Sequence, residues 1–307
     1  MTKRQKKKLL PIIIAATVLV TGSLLPSLGL PGIPDWDTIF TETGLRGGET
    51  DDLPLQAHFI DIGQGDCTLI QSGGVNVLID GAKPGNDKVI NAYLKNHNVK
   101  QLDYLIATHP DSDHIGSLPE VIKAYPPKNV ILPRLSEKNT PSTKNYTSLL
   151  SAIKASGAKA IAAELGKSYT IGEAKMEILA PFTQYDDTNN MSVVARVTLG
   201  NIAYLFTGDA ETKSERDMLV SGRTLRADVL KAGHHGSKTG SGKAFLAAVN
   251  PKAVVISCGQ DNSYGHPHME TLKKLTAIGA QVYRTDQLGT IIIATDGKEL
   301  VTKWTKS

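Results

Sequence analysis

Residues 109–114, which read His-Pro-Asp-Ser-Asp-His, constrain this chain more than any other stretch. They place four side chains of the kind that bind divalent metals within six positions, directly after the apolar run 102–107, which predicts a buried strand. Ligands at alternate positions of a tight turn can converge on one point, and the adjacent His114 can reach a second. A polar loop with a helix start at 117–120 would explain the proline and the serine, but not two histidines that bracket two aspartates. The motif therefore predicts a metal-binding loop.

The amino-terminal segment has the pattern of an export signal. Residues 1–8 contain five lysines and arginines and no acid, and an uncharged stretch follows as far as Pro34, with its apolar centre at 12–20. A basic head before an apolar run is typical of a secretory signal peptide or of an uncleaved membrane anchor. A buried helix is the alternative, but it would not need five cations at its start. We expect residues 1–34 to direct the protein out of the cytoplasm, secreted or anchored to the outer face of the membrane.

The charge of the chain gives no support for a nucleic-acid partner. The whole chain has a formal net charge of +4, and residues 1–8 contribute five positive charges, so the remainder carries 4 − 5 = −1. A DNA-binding surface would therefore have to be a local basic patch rather than a property of the whole domain.

The remainder of the chain predicts a mixed α/β domain. After a linker rich in proline and glycine at 35–54, short apolar runs alternate with helical patterns, and the two halves look like variations on one unit. Strands are expected at 55–61, 67–71, 75–80, 102–107, 130–132, 176–179, 192–199, 202–206, 228–230, 253–257, 282–284 and 290–294. We predict that 55–307 folds as a four-layer αββα sandwich, two sheets with helices outside. Its two cysteines, Cys67 and Cys258, lie in apolar segments and are expected to be buried thiols rather than a disulfide.

Further polar clusters also follow predicted strands. They are Asp80, Asp209, the run His234-His235-Gly236-Ser237, and His266 with His268. Each has an ordinary explanation by itself, because Asp-Gly and Gly-His-Pro are common in turns and a histidine pair can precede a helix. These separate explanations do not account for the distribution of histidine. The chain has only eight histidines, and six of them lie in three turns that follow predicted strands. Loops at strand ends are where folds of this kind carry their function, so the clusters predict a single site.

This order of motifs resembles the metallo-β-lactamase superfamily. A closer resemblance is to the extracellular hydrolase domain of ComEC-type competence DNA-uptake proteins. It is carried by the stretches 59–66, 108–116, 189–194 and 231–237, and it extends in order and in register from about residue 55 to residue 294. The resemblance implies the αββα fold and a metal-dependent hydrolase. It also implies two divalent metal ions, manganese or zinc with magnesium possible, which hold a hydroxide and clamp the oxygens of a scissile ester.

The resemblance further implies a role for each candidate residue. One metal would be held by His109, Asp111 and Asp209, and the other by Asp113, His114, Asp209 and His266, with Asp209 bridging. Asp80 would orient a ligand histidine by accepting its second N–H. The candidates for catalysis, substrate contact, proton delivery or an additional ligand are Asp66, Asp113, Asn190, Lys231, His234, His235 and Ser237. Which of His234, His235 and His266 contacts metal is left open by the sequence.

Two positions depart from the superfamily's common pattern. Asp111 and Asn190 stand where histidines are usual, and both exchanges replace nitrogen by oxygen, which favours harder ions. We expect an exported metal-dependent phosphodiesterase, a nuclease acting on DNA. The alternatives are a hydrolase of another ester, such as a cell-envelope phosphoester or a lactone, and a binding module without activity. The expected partners are DNA or another phosphoester, and the membrane if the N-terminal segment is not cleaved; no protein partner is predicted.

Overall fold

The computed structural model of the protein describes residues 45–47, 50 and 52–306. The predicted export segment 1–34 lies outside the described residues, as does most of the predicted linker, of which Leu45–Gly47 forms a short strand. Glu49–Ser307 is one compact unit. No helix among the described residues combines the length and the apolar character that a membrane crossing requires.

The compact unit contains two sheets. In chain order its strands are β1 (Leu55–Phe59), β2 (Thr68–Ser72), β3 (Val75–Ile79), β4 (Tyr104–Ile106), β5 (Asn129–Leu132), β6 (Lys159–Ala162), β7 (Ser168–Ile171), β8 (Ala174–Ala180), β9 (Val194–Leu199), β10 (Ile202–Phe206), β11 (Val229–Lys231), β12 (Ala253–Ile256), β13 (Gln281–Arg284), β14 (Ile291–Thr295) and β15 (Leu300–Trp304). Within this unit the first sheet has the order β15-β14-β1-β2-β3-β4-β5-β6, and the second has the order β13-β12-β11-β10-β9-β8-β7.

Helices cover the outer face of each sheet. They are α1 (Asp87–Asn96), α2 (Ser112–Ile115), α3 (Leu118–Ala124), α4 (Lys144–Ser156), α5 (Thr212–Val220), α6 (Lys243–Val249), α7 (Met269–Ala277) and α8 (Thr285–Leu288). One apolar core joins the first sheet to α1, α3 and α4, and a second joins the other sheet to α5, α6 and α7. Between the sheets, the rings of Phe59 and Phe206 stack with centroids 5.9 Å apart. The predicted αββα sandwich is confirmed.

The strand directions bring the loops that carry the motifs to one edge of the sandwich. β3, β4 and β5 run parallel, as do β10, β11, β12 and β13, so the carboxyl ends within each group lie side by side. The antiparallel pair β1 and β2 turns at the same edge, because Phe59 pairs with Thr68 and Thr68 with Ile79. Every motif after a strand end therefore faces the same region, as in other α/β folds.

Twelve of the fifteen strands of this unit agree with the sequence predictions, including the edge strand β13, whereas β6, β7 and β15 were not predicted. β6, β7 and β15 lie at or next to sheet edges, and the first two expose many of their side chains. A short, half-exposed strand has a weak apolar pattern, because only one face is buried. β15 also extends the domain beyond residue 294, where the predicted strands ended. Cys67 and Cys258 are buried free thiols, as predicted.

His58 on β1 is expected to make folding sensitive to acid. It is fully buried, and its ring nitrogens lie 2.9 Å from Tyr93 Oη and 3.2 Å from Gln56 Oε1. Burial, and then the neighbouring His97, lower the pKa of His58 from 6.5 to about 3. Below pH 6.5, His58 therefore binds a proton in the unfolded chain but stays neutral in the folded chain. The free energy of unfolding falls for this reason as the pH drops toward 3. At pH 5 this costs about 2 kcal/mol.

The measurement is the free energy of unfolding at pH 7 and at pH 5, by urea denaturation of the wild type and of His58→Leu. The variant should lose about 2 kcal/mol less than the wild type between the two pH values. An equal loss in both proteins would show that His58 does not carry this acid sensitivity.

Candidate metal centre

Asp80 connects the strand ends beneath the candidate site. It directly follows β3 in a left-handed conformation, with φ of 60°, and is fully buried. Its carboxylate accepts hydrogen bonds from the backbone N–H and the hydroxyl of Thr108, at 2.8 and 2.7 Å, and from His114 Nδ1 at 2.8 Å. This contact directs Nε2 of His114 toward the site, which is the orientation that a metal-ligating histidine needs.

Four buried residues form the centre of the site, which we call the central cluster: Asp66, His114, Asp209 and His235. Each offers one ligand atom, and these atoms all lie within 4.8 Å of one another. His114 Nε2 is 3.3 Å from Asp209 Oδ1, and His235 Nε2 is 3.4 Å from Asp209 Oδ2. The four residues come from four different loops, which meet because the strand ends converge. Two imidazoles and two carboxylates are a ligand set suited to zinc or manganese.

The metal-binding loop predicted from sequence borders the central cluster. His109 Nε2 lies 3.9 Å from Asp111 Oδ2 and 4.0 Å from Asp209 Oδ2. Asp113 Oδ2 lies 3.5 Å from His235 Nε2. The side chain of Asp111 is 44 % exposed, whereas that of His109 is fully buried. The loop thus runs from the protein interior to the solvent-facing side of the cluster, where a substrate can enter.

The second histidine loop approaches from the opposite sheet in a strained conformation. His234 and His235 both have positive φ, 48° and 52°, so the backbone of the short turn Gly233–Gly236 is left-handed at these two residues. Residues other than glycine rarely adopt this region, and such strain concentrates at functional sites. The turn directs the two rings differently: His235 Nδ1 lies 2.9 Å from the Ser257 carbonyl, whereas His234 Nδ1 lies 2.8 Å from Glu211 Oε1.

His266 completes the ring of histidines. Its ring centroid is 5.3 Å from that of His234 and 6.1 Å from that of His235. It is not part of the central cluster, but its Nδ1 is buried and has no hydrogen-bond partner among the described residues. The structure therefore brings all three candidate histidines together, and His235 lies closest to Asp209.

A buried ion pair lies beside the central cluster. Lys231 Nζ is 2.5 Å from Asp66 Oδ2 and 3.8 Å from Asp209 Oδ1, and it donates to the Gly208 carbonyl at 3.1 Å. Both side chains of the pair are more than nine-tenths buried. A buried charge is tolerated only when it is paired, so the ammonium offsets part of the negative charge that the aspartates bring together.

The ionisation of the cluster follows from these contacts. Burial alone would raise the pKa of Asp209, but the charges of His114 and His235 outweigh burial and hold that pKa well below its usual range. Burial likewise opposes the charged form of His235, yet the carboxylates of Asp209 and Asp66 raise its pKa to about 9. For His109, burial dominates, and with the nearby His114 it lowers the pKa to about 4. His109 is therefore neutral and has a free lone pair.

A divalent cation fits the residues present. The buried atoms His109 Nε2 and Asp209 Oδ1 have no hydrogen-bond partner among the described residues, as is also true of His266 Nδ1. Buried polar atoms are nearly always satisfied, and these three are ligand atoms of metals. The site around Asp209 thus has the donor set, the unsatisfied atoms and the excess of negative charge that cation binding requires.

Two candidates predicted for catalysis or substrate contact, Asn190 and Ser237, make local contacts within the fold. The Asn190 oxygen accepts from the backbone N–H groups of Glu211 and Ser214, at 3.2 and 2.9 Å, at the start of α5, and its amide nitrogen donates to Asp187. The Ser237 hydroxyl accepts from Thr239 Oγ1 at 2.9 Å. A catalytic role for Asn190 stays a prediction, and its contacts favour a role in holding α5.

Sequence reasoning missed several residues that position the site. Thr108 contacts Asp80, Thr188 donates to Asp111 Oδ1 at 2.9 Å, and Ser192 Oγ accepts from the Asp209 backbone N–H at 3.1 Å. Glu211, which contacts His234, follows Asp209 by two residues and could have been found from that proximity. Hydroxyl side chains give no comparable signal, since they are common in all loops.

Known proteins resemble this chain over most of its described part. The model of the metallo-beta-lactamase superfamily matches residues 60–260. ComE operon protein 3 of Bacillus subtilis is 33% identical over 257 residues, which are 77% of this chain and 32% of that protein. Recombination protein 2 of Haemophilus influenzae is 32% identical over 244 residues, 77% of this chain and 28% of that protein. Competence protein ComA of Neisseria gonorrhoeae is 30% identical over 288 residues, 92% of this chain and 38% of that protein.

These relatives confirm the predicted resemblance to competence proteins of the ComEC type. The chain spans about a third of their length. Among solved structures, the diiron β-hydroxylase CmlA of Streptomyces venezuelae has a TM-score of 0.55 at 13% identity, covering 79% of this chain and 54% of CmlA, which shows a shared fold alone. With its two sheets, its Asp209-centred cluster and a family match over residues 60–260, this chain belongs to the metallo-β-lactamase superfamily.

Proposed function

We propose that this protein is an exported, divalent-metal-dependent phosphodiesterase that cleaves DNA. The observation that carries the proposal is the buried central cluster, whose ligand atoms lie within 4.8 Å of one another and which opens to solvent at Asp111. One relative is named a competence protein and another a recombination protein. The N-terminal export pattern adds support from sequence, since an extracytoplasmic domain would meet incoming or extracellular DNA.

We assign the site residues to two roles, metal binding and proton transfer. His109, Asp111 and Asp209 would hold one ion, and Asp113, His114, Asp209 and His266 a second, while the contacts of His235 and Asp66 make them additional candidates. When bound there, divalent ions would supply the Lewis acidity that lowers the pKa of water and offsets negative charge on phosphate oxygens.

His234 is our candidate for proton delivery. Its side chain is 24 % exposed, Glu211 holds Nδ1 at 2.8 Å, and Nε2 lies 3.7 Å from Asp209. Glu211 thus fixes the ring so that Nε2 faces the solvent-accessible side of the cluster, where it can protonate a leaving oxygen. The buried Lys231 ammonium, paired with Asp66, would add a fixed positive charge beside the cluster.

A different ester substrate is the second candidate, favoured by the near-neutral charge of residues 9–307. Dedicated DNA-binding surfaces are usually basic. Activity on bis-p-nitrophenyl phosphate without activity on DNA would favour a cell-envelope phosphoester. Hydrolysis of a lactone or of nitrocefin would move the substrate class away from phosphate altogether.

Asp80 is predicted to control metal affinity, although it does not contact the metal itself. In Asp80→Asn the carboxylate that orients His114 is lost, so Mn²⁺ binding to the chelator-treated full chain should weaken by about 10- to 100-fold. Isothermal titration calorimetry measures the affinity, and two ions per chain are expected for the wild type. Asp296→Asn is the control, because Asp296 lies in the turn after β14 and, within the described part of the chain, accepts from the local backbone N–H groups of Lys298 and Glu299. An Asp80→Asn protein with wild-type affinity would contradict this role.

Cleavage of DNA is the direct test of the proposed activity. The full chain, stripped of metal, is incubated with labelled oligonucleotide and Mn²⁺, Zn²⁺ or Mg²⁺ separately. We expect cleavage with at least one ion and a loss of at least about 100-fold in Asp209→Asn, since the Asp209 carboxylate lies within 4.0 Å of His109, His114 and His235. Activity equal in the wild type and Asp209→Asn would indicate a contaminating nuclease. Stoichiometric metal uptake without cleavage by any ion would refute DNA as the substrate.

A further inference from the structure

An exposed aromatic ring lies at the rim of the metal centre. Tyr264, on the loop between β12 and α7, is 56 % exposed. Its ring stacks on that of His266, with centroids 5.6 Å apart and an interplanar angle of 20°. His266 in turn contacts the rings of His234 and His235. The Tyr264 ring is therefore a flat aromatic surface that is open to solvent and in direct contact with His266, one of the histidines of the site.

The loop holds Tyr264 in a defined position. The Asn262 amide donates to the carbonyls of Gly259 and His266, at 2.9 and 2.6 Å, and its oxygen accepts from the His266 backbone N–H at 3.0 Å. Gly265, with φ of +70°, allows the chain to reverse between Tyr264 and His266. An aromatic ring that is fixed before its ligand arrives loses little conformational entropy on binding.

A lysine from the other sheet lies over the same ring. Lys83 follows β3, and its Nζ is 5.8 Å from the centroid of Tyr264. The Lys83 carbonyl accepts from Ser117 Oγ at 2.5 Å, which anchors the base of the side chain. Within the described residues its ammonium forms no ion pair with a carboxylate, so it can bind an anion that reaches the rim.

We propose that Tyr264 and Lys83 form a nucleobase-binding subsite, in which an unpaired base stacks on the Tyr264 ring in place of the Lys83 ammonium, and the ammonium contacts the adjoining phosphate instead. This inference rests on the proposed function and adds the class of its substrate, single-stranded DNA. Aromatic stacking and a lysine on the backbone are how proteins bind single strands. A paired base cannot stack on Tyr264 unless it first leaves the duplex, which costs free energy.

The experiment compares binding of the full chain and of Tyr264→Ala to fluorescein-labelled single-stranded DNA, by fluorescence anisotropy in EDTA. Losing one stacked base should weaken binding by between about 5-fold and 150-fold. Tyr264→Phe should restore it, because the ring remains. Tyr169→Ala is the matched control, since Tyr169 contacts Tyr104 on the first sheet rather than the site.

An oligonucleotide with an abasic residue at each position in turn separates stacking from an indirect effect through His266. One abasic position should weaken wild-type binding as much as Tyr264→Ala does, and should weaken the variant no further. If Tyr264→Ala lowers affinity equally for intact and abasic strands, or does not lower it, the subsite is refuted. Because binding is measured without turnover, the subsite can be tested even if the protein cleaves no DNA. Cleavage that is unaltered by Tyr264→Ala would refute the subsite but leave the proposed nuclease activity standing.

Discussion

The three hydrogen bonds of the Asp80 carboxylate are the interaction on which the site depends. They join the end of β3 to Thr108, after β4, and to His114 on α2. A carboxylate that is fully buried must have its acceptors satisfied, and here the satisfied state also defines the direction of His114. The same buried group thus packs the two strand ends together and aims a ligand atom at Asp209.

Negative charge is the second constraint, because the convergence of strand ends places Asp66, Asp113 and Asp209 around two imidazoles. The fold compensates with the Lys231 ammonium on Asp66 and with the raised pKa values of His114 and His235. Removing one partner of such a buried pair typically costs about 3–5 kcal/mol. A divalent ion would replace these protons as the counter-charge, so metal binding and the stability of this edge of the sandwich are coupled.

Much of this organisation could be predicted from sequence. The interior strands have continuous apolar runs, and the motif residues follow them directly, so their assembly at one edge follows from parallel pairing. The contacts of Asp66 could not be predicted from sequence. Its proximity to Asp209 depends on the turn between β1 and β2 lying at the same edge of the sandwich. Its ion pair with Lys231 joins residues that are 165 positions apart. Asn190 shows a second limit, since the family pattern identifies a position but not what the side chain contacts once histidine is replaced.

The sequence by itself determined the chemistry: which residues can bind metal, that they follow buried strands, and that the strands form two sheets backed by helices. These properties are local, because they depend on residue type, apolar period and short spacing. The tertiary structure decided which of these side chains share a centre, how the left-handed turn divides His234 from His235, and that Tyr264 lies exposed on His266 beneath Lys83. Those contacts join loops from both sheets, and their distances arise only when the two sheets pack face to face.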